Sequence, residues 1–133
     1  MENNKSKSGG KLICVTSQGD SLNSNVDPRF GRCQYFIIVN TETMHFEVIK
    51  NPNISGVGGV GIQSAQLITN KGVQAVLTGN IGPNAFQTLQ AGGIEIITGV
   101  EGIVKEVVEK YREGRFKSTL APTVQPKSGM NNK

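Results

Sequence analysis

Three short stretches of this 133-residue chain carry residue types that could do chemistry. The first is "VDPRFGRC" (26–33), which sets Arg29, Arg32 and Cys33 close together. A thiolate is the usual protein ligand for iron in clusters, and guanidinium groups beside a thiol lower its pKa. Arg29 and Arg32 could neutralise an anionic, sulfide-rich cluster or a carboxylate. They could equally form ion pairs with Asp20, Asp27 or a nearby glutamate. Cys33 could equally be a small buried residue opening a strand, and Phe30 reads as the anchor of the loop. The second stretch, "SGVGGVGIQSAQ" (55–66), spaces Gly56, Gly58 and Gly61 as G-x-G-x-x-G. The third, "TGNIGPNA" (78–85), holds Gly79, Asn80, Gly82 and Asn84. The two asparagines could donate to a ligand, or could cap and turn the chain.

The G-x-G-x-x-G spacing suggests a dinucleotide, and two tests exclude NAD. That fingerprint needs its first glycine directly after a strand, and an acidic residue about twenty positions on for the ribose. Here "NPNIS" separates strand from glycines, and the next strand, "VQAVLTGN", ends without Asp or Glu. A phosphate-binding Walker loop fails too, for want of Gly-Lys-Ser/Thr. Two readings remain. The glycines allow a tight turn, or they expose backbone N–H groups at the positive end of a helix dipole and so seat an anion.

These stretches are positioned by a β-then-βα rhythm. "KLICVT" (11–16), "QYFIIVN" (34–40) and "HFEVIK" (45–50) read as strands. In the last of them Phe46 and Val48 share a face, and "NTETM" suits a hairpin turn. "GIQSAQLITNKG" (61–72) places Ile62, Ala65 and Ile68 at helical spacing and stops at Gly72. "VQAVLTG" (73–79) is a strand; "GPNAFQTLQAGG" (82–93) is a helix with Pro83 at its first position and Gly92-Gly93 at its stop; "IEIITG" (94–99) is a strand. Val100, Ile103, Val104, Val107, Val108 and Tyr111 then recur at steps of three and four, with Glu106 and Lys110 placed to pair outside and Gly114 closing the helix. The fold class is α/β, a single domain of order β-β-β-α-β-α-β-α. Successive βα units imply parallel strands and the hairpin an antiparallel one, giving a five-stranded mixed sheet with flanking helices. Ligands in such sheets sit beyond the carboxyl ends of the parallel strands. That rule brings the 17–33 loop and both glycine-rich helix starts to one crevice.

Composition narrows the function. A net charge of +4 with few aromatics argues against nucleic acid. No apolar run approaches the ~20 residues of a membrane span. The opening "MENNKSKSGG" lacks an apolar core, so no signal peptide is expected and the protein is expected in the cytoplasm, with Cys14 and Cys33 as reduced thiols. Cys14, inside "LICVT", reads as core. Residues 1–10 and 117–133 are expected to be disordered tails around a folded 11–116. Catalysis is not expected. Asp20 and Asp27 are the only acids near the crevice, too few for a two-metal nuclease, and the only histidine, His45, falls on the hairpin.

Taken together, "VDPRFGRCQYFIIV" (26–39), "GGVGIQSAQLI" (58–68) and "LTGNIGPNAFQTLQAGGIEI" (77–96) resemble, in order and spacing, the dinitrogenase iron-molybdenum cofactor biosynthesis family. That family includes NifX-like carriers, the C-terminal part of NifB and small stand-alone proteins. The resemblance covers 11–116. It implies a ribonuclease H-like motif fold and the binding, carrying or assembly-chaperoning of an iron-sulfur or iron-molybdenum cluster. It also implies cluster donor and acceptor proteins as partners. Cofactor-handling relatives often carry His directly before Phe-Gly-Arg; here that position is Arg29, which leaves Cys33 as the candidate metal ligand. The candidate cluster-binding residues are Arg29, Phe30, Gly31, Arg32, Cys33, Gly58, Gly59, Gly61, Gly79, Asn80, Gly82 and Asn84. The alternative is a module that binds a small anionic metabolite or a protein, with no cluster.

Overall fold

The strand β1 (Leu12–Ser17) is buried along almost its whole length because it lies at the centre of the sheet. It pairs antiparallel with β2 (Tyr35–Asn40) and parallel with β4 (Ala75–Leu77). β3 (Phe46–Lys50) pairs antiparallel with β2, and β5 (Glu95–Ile97) parallel with β4, so the order is β3-β2-β1-β4-β5. The computed structural model describes residues 11–52, 54 and 60–123. The expected N-terminal tail, residues 124–133 and the glycines Gly56, Gly58 and Gly59 lie outside the described residues.

Strand side chains alternate between faces, and both faces are covered. Cys14, Phe36, Ile38, Val76 and Ile96 point to one side, under α1 (Val60–Thr69) and α2 (Pro83–Ala91). Ile13, Val15, Ile37, Val39, Ala75, Leu77 and Ile97 point to the other, under α3 (Val104–Arg112). This is the expected five-stranded mixed sheet with flanking helices, in the expected element order. Near-continuous apolar strands follow from burial on both faces. Among the described residues no helix is long and apolar enough to cross a membrane.

Three local expectations shift. The apolar run 73–79 yields only Ala75–Leu77 as strand, although Gln74 N–H and Thr78 N–H on either side still donate to Leu12 O (2.8 Å) and Ile97 O (3.0 Å) of the neighbouring strands. The last helix begins at Val104, not at Val100: Gly102 has φ +110 and Ile103 is extended, so neither can be helical. On its outer surface Arg112 pairs with Glu109 at 3.0 Å, in place of Glu106 with Lys110. Phe46 and Val48 share a face of β3 as expected, but Phe46 is the less covered of the two. It is 44% exposed, at the outer strand of the sheet.

The chain beyond α3 also departs from expectation. Residues 117–123, read from composition as the start of a tail, run back along the outer side of β5. Thr119 N–H donates to Ile96 O at 2.6 Å, and Thr119 Oγ1 accepts from Thr98 N–H at 3.0 Å. Thr123 N–H donates to Ile81 O at 2.9 Å, and Thr123 Oγ1 accepts from Ile81 N–H at 2.9 Å. Backbone and hydroxyl hydrogen bonds hold this stretch, and an apolar count does not register them.

Candidate functional site

The site is built where β1 and β4 end. After β1 the chain loops out and returns, so that Asp27 N–H donates to Thr16 O at 2.9 Å and Thr16 Oγ1 donates to Asp27 O at 2.6 Å. Asp27 is 1% exposed. Its Oδ1 accepts from Arg29 N–H at 3.0 Å and lies 3.4 Å from Arg29 Nε. The carboxylate therefore fixes the root of Arg29, while the guanidinium stays mostly exposed. This is the ion pair that the sequence offered as one role for Arg29.

Phe30 next turns inward and packs tilted against Phe36, ring centroids 5.6 Å apart. That anchors the loop in the core. Gly31 has φ +41, in the left-handed region that favours glycine. A Cβ there would sit 3.4 Å from Gly61 Cα, so the two backbones meet closely. The buried Asn51 ties this corner down. Its Nδ2 donates to Gly31 O and to Cys33 O, both at 2.9 Å.

The loop after β4 is clamped to the first loop. Asn80 N–H donates to Pro28 O at 2.7 Å, and Phe30 N–H donates to Asn80 O at 3.1 Å. Gly79 permits the contact: a Cβ there would stand 2.7 Å from Pro28 Cα and 2.8 Å from its carbonyl oxygen. Both are backbone atoms that cannot swing aside. Gly79→Ala is expected to cost about 1–3 kcal/mol, read as a lower urea midpoint with an unchanged m-value.

Between the two loops lies a cavity of about 390 Å³. Arg29, Phe30, Gly31, Arg32, Gly61, Asn80, Gly82 and Asn84, all expected site residues, line it together with Val60, Ile81 and Ala85. Gly79 is not among the lining residues and acts behind them through Pro28. Two helices begin at this cavity, α1 at Val60 and α2 at Pro83. α2 has Gly82 at its N-cap and no side-chain cap. The amides of a helix's first turn lack partners within the helix, and Asn84 and Ala85 of α2 line the cavity together with Val60 and Gly61 of α1. Two positive dipole ends and two arginines thus meet at one apolar-floored cleft. Arg32 Nη1 donates to Ile54 O at 3.3 Å, which holds that side chain across the rim.

Cys33 does not belong to this constellation. It is fully buried among Cys14, Phe30 and Phe36. Burial pushes its thiol pKa strongly up, the Asp27 carboxylate adds to the rise, and nearby backbone N–H groups and Arg29 offset only part of it. The expectation of an arginine-activated thiol ligand is therefore corrected: Phe30 and Asn51 fold the cysteine under the loop rather than into the cleft. Cys14 is core, as expected, and burial raises its thiol too. His45 is exposed at the hairpin, also as expected. Among the described residues no group of three or more His, Cys, Asp or Glu could hold a metal ion.

The raised thiols have a pH consequence. Above the ordinary thiol value of 9.0, the unfolded chain releases protons that the folded chain keeps. The unfolded state then binds fewer protons, so stability falls as pH rises, by about 1.4 kcal/mol per pH unit for each thiol. Urea midpoints between about pH 8 and pH 10.5 should show this fall, and a smaller one in Cys33→Ala. An equal fall in both proteins would contradict the assignment.

Sequence reasoning missed Asn51 and the anchoring role of Asp27. In the sequence, "NPNIS" reads only as the segment between strand and glycines. The signal available was that Asn51 directly ends a strand, where a buried amide can tie a neighbouring loop.

Comparison with known proteins adds the following. The family model described as "Dinitrogenase iron-molybdenum cofactor" matches residues 11–114. An uncharacterised protein of Methanocaldococcus jannaschii is 37% identical over 97 residues, 71% of this chain and 82% of that protein. The apo form of the orange protein of Desulfovibrio gigas superposes with a TM-score of 0.83 at 37% identity, covering 86% of this chain and 98% of that one. A Thermotoga protein carrying a NifB designation gives 0.72 at 34% identity, covering 86% and 99%.

Proposed function

Because this chain belongs to the dinitrogenase iron-molybdenum cofactor family, we propose that it is a non-enzymatic cytoplasmic carrier that holds an anionic metal-sulfur cluster. The observation that carries this reading is the convergence of two helix N-termini and two arginines on one cleft. Backbone N–H groups and guanidiniums complement a sulfide-rich anion, and Phe30, Val60, Ile81 and Ala85 supply an apolar floor. The cleft volume lies in the range that holds a small-molecule ligand.

Seating without a thiolate sets the mode of binding. With Cys33 enclosed, the cluster is held by charge and hydrogen bonds rather than by a metal–protein bond. Such holding is reversible, as a carrier between a donor and an acceptor protein requires. It does not suit a permanent redox centre. Arg29, standing where relatives often have His, contributes charge in place of a ligand nitrogen.

The second reading is a module for a small phosphate- or carboxylate-bearing metabolite, favoured by the same two helix N-termini. One experiment separates the two. The purified protein is titrated anaerobically with a synthetic molybdenum-iron-sulfur cluster, followed by visible absorbance and size exclusion, with Cys33→Ala alongside. Stoichiometric co-elution is expected for both proteins. Co-elution lost in Cys33→Ala, with the fold intact, would restore the thiol as a ligand. No co-elution from either, with inorganic phosphate binding measured by calorimetry, would replace the carrier with the anion module.

A further inference from the structure

The cleft's second loop is held at two successive residues, Asn80 and Ile81. Asn80 is held by Pro28 and Phe30. The next residue, Ile81, is held from the opposite side by Thr123, forty-two positions on. Both backbone groups of Ile81 are engaged there. Its N–H donates to Thr123 Oγ1 at 2.9 Å, and its carbonyl oxygen accepts from Thr123 N–H at 2.9 Å and from the Thr123 hydroxyl at 3.3 Å. The strap that brings Thr123 there is itself fixed at Ser118, whose hydroxyl donates to Glu95, and at Thr119, bonded to Ile96 and Thr98.

We propose that residues 118–123 form a strap that holds the start of α2 in its anion-receiving shape, with Thr123 as a positioning residue. Gly82, the N-cap, follows Ile81 directly and has no side-chain cap to orient it. The direction of the Asn84 and Ala85 amides therefore depends on how the backbone enters at Ile81. Ile81 also lines the cleft and is buried, so a shift there moves floor and amides together. A loop fixed before the ligand arrives costs less to order on binding. The strap ties that order to a part of the chain remote from the glycine loops. Its bearing on ligand rests on the carrier reading above, whereas its grip on α2 does not.

The test uses the full chain and two variants. Thr123→Val keeps the shape and the backbone bond but removes the hydroxyl; Thr123→Ser keeps the hydroxyl. In the ligand-free protein, Thr123→Val is expected to speed amide hydrogen exchange at Ile81 about fivefold, the equivalent of one net hydrogen bond. It should also move the Gly82, Asn84 and Ala85 amide shifts, and leave Asn80 protected by Pro28. Affinity for the synthetic cluster should fall by a similar factor, and Thr123→Ser should restore all three signals. Unchanged exchange at Ile81, or unchanged shifts at Gly82, Asn84 and Ala85, would overturn the proposal. So would altered shifts with unaltered cluster affinity. If the wild-type chain binds no cluster, the carrier reading falls, and the ligand-free signals alone then decide the strap.

Discussion

Replacing Arg29 and Arg32 together by alanine is expected to weaken cluster binding about 150-fold, the product of two losses of about 1.5 kcal/mol. Each arginine can make a charge-assisted hydrogen bond to an anion, worth about 1.5–3 kcal/mol where water is excluded. Arg29 and Arg32 are both exposed in the ligand-free protein, so the lower end applies to each. The single changes should not be equal. Arg29→Ala also removes one of the two partners of the buried Asp27 Oδ1, leaving the Arg29 backbone N–H. Arg29→Lys keeps a charge and loses the Nε contact, so it should fall between wild type and alanine. The anaerobic titration, repeated at low and high ionic strength, measures all of these. Wild-type affinity should drop as salt rises, and the double variant should lose most of that dependence. An unchanged dissociation constant in the double variant would remove the arginines from the site.

Phe30→Ala is expected to cost about 3–4 kcal/mol of stability and to lower Tm by roughly 10 °C. Phe30 is almost fully buried, stacks tilted on Phe36, and carries the loop that supplies Arg29, Gly31 and Arg32. Removing the ring leaves a void that the Gly31–Gly61 contact cannot close, because both residues there lack side chains. Phe30→Leu, which refills most of the volume, should recover about half of the loss. Thermal and urea denaturation give the stability. A loss below about 1 kcal/mol would mean that the loop is held by its hydrogen bonds to Thr16 and Asn51 and not by the ring.

The elements were legible because their signals are local. The apolar runs of β1 and β2, Pro83 at the head of α2, and Gly72 and Gly114 after their helices act within a few residues of themselves. The crevice was legible too, because a parallel sheet places its loops by rule. Cys33 was not. Its neighbours Phe36 and Ala65 come from a strand and a helix, and a run of eight loop residues does not say which side chain turns inward. Asp27 was one of several acids open to Arg29 in the sequence, and nothing local marks its carboxylate as the buried one. Thr119 and Thr123 sit in a stretch whose composition suggests disorder, and their partners lie 21 and 42 positions away. Such distant hydroxyl bonds leave no periodicity to read.

The strap also makes the two margins of the sheet unlike. β5 has its outer side bonded by Thr119, whereas on the outer side of β3 no described residue forms a strand. A sheet with two bare margins can add neighbours without limit, which is how edge-to-edge fibres grow. With one margin sealed, a copy that docks on β3 through its own β3 leaves both sealed margins facing outward, and growth stops at a pair. Residues 118–123 thus blunt the β5 edge against pairing with a further strand, at the end of the sheet farthest from β3.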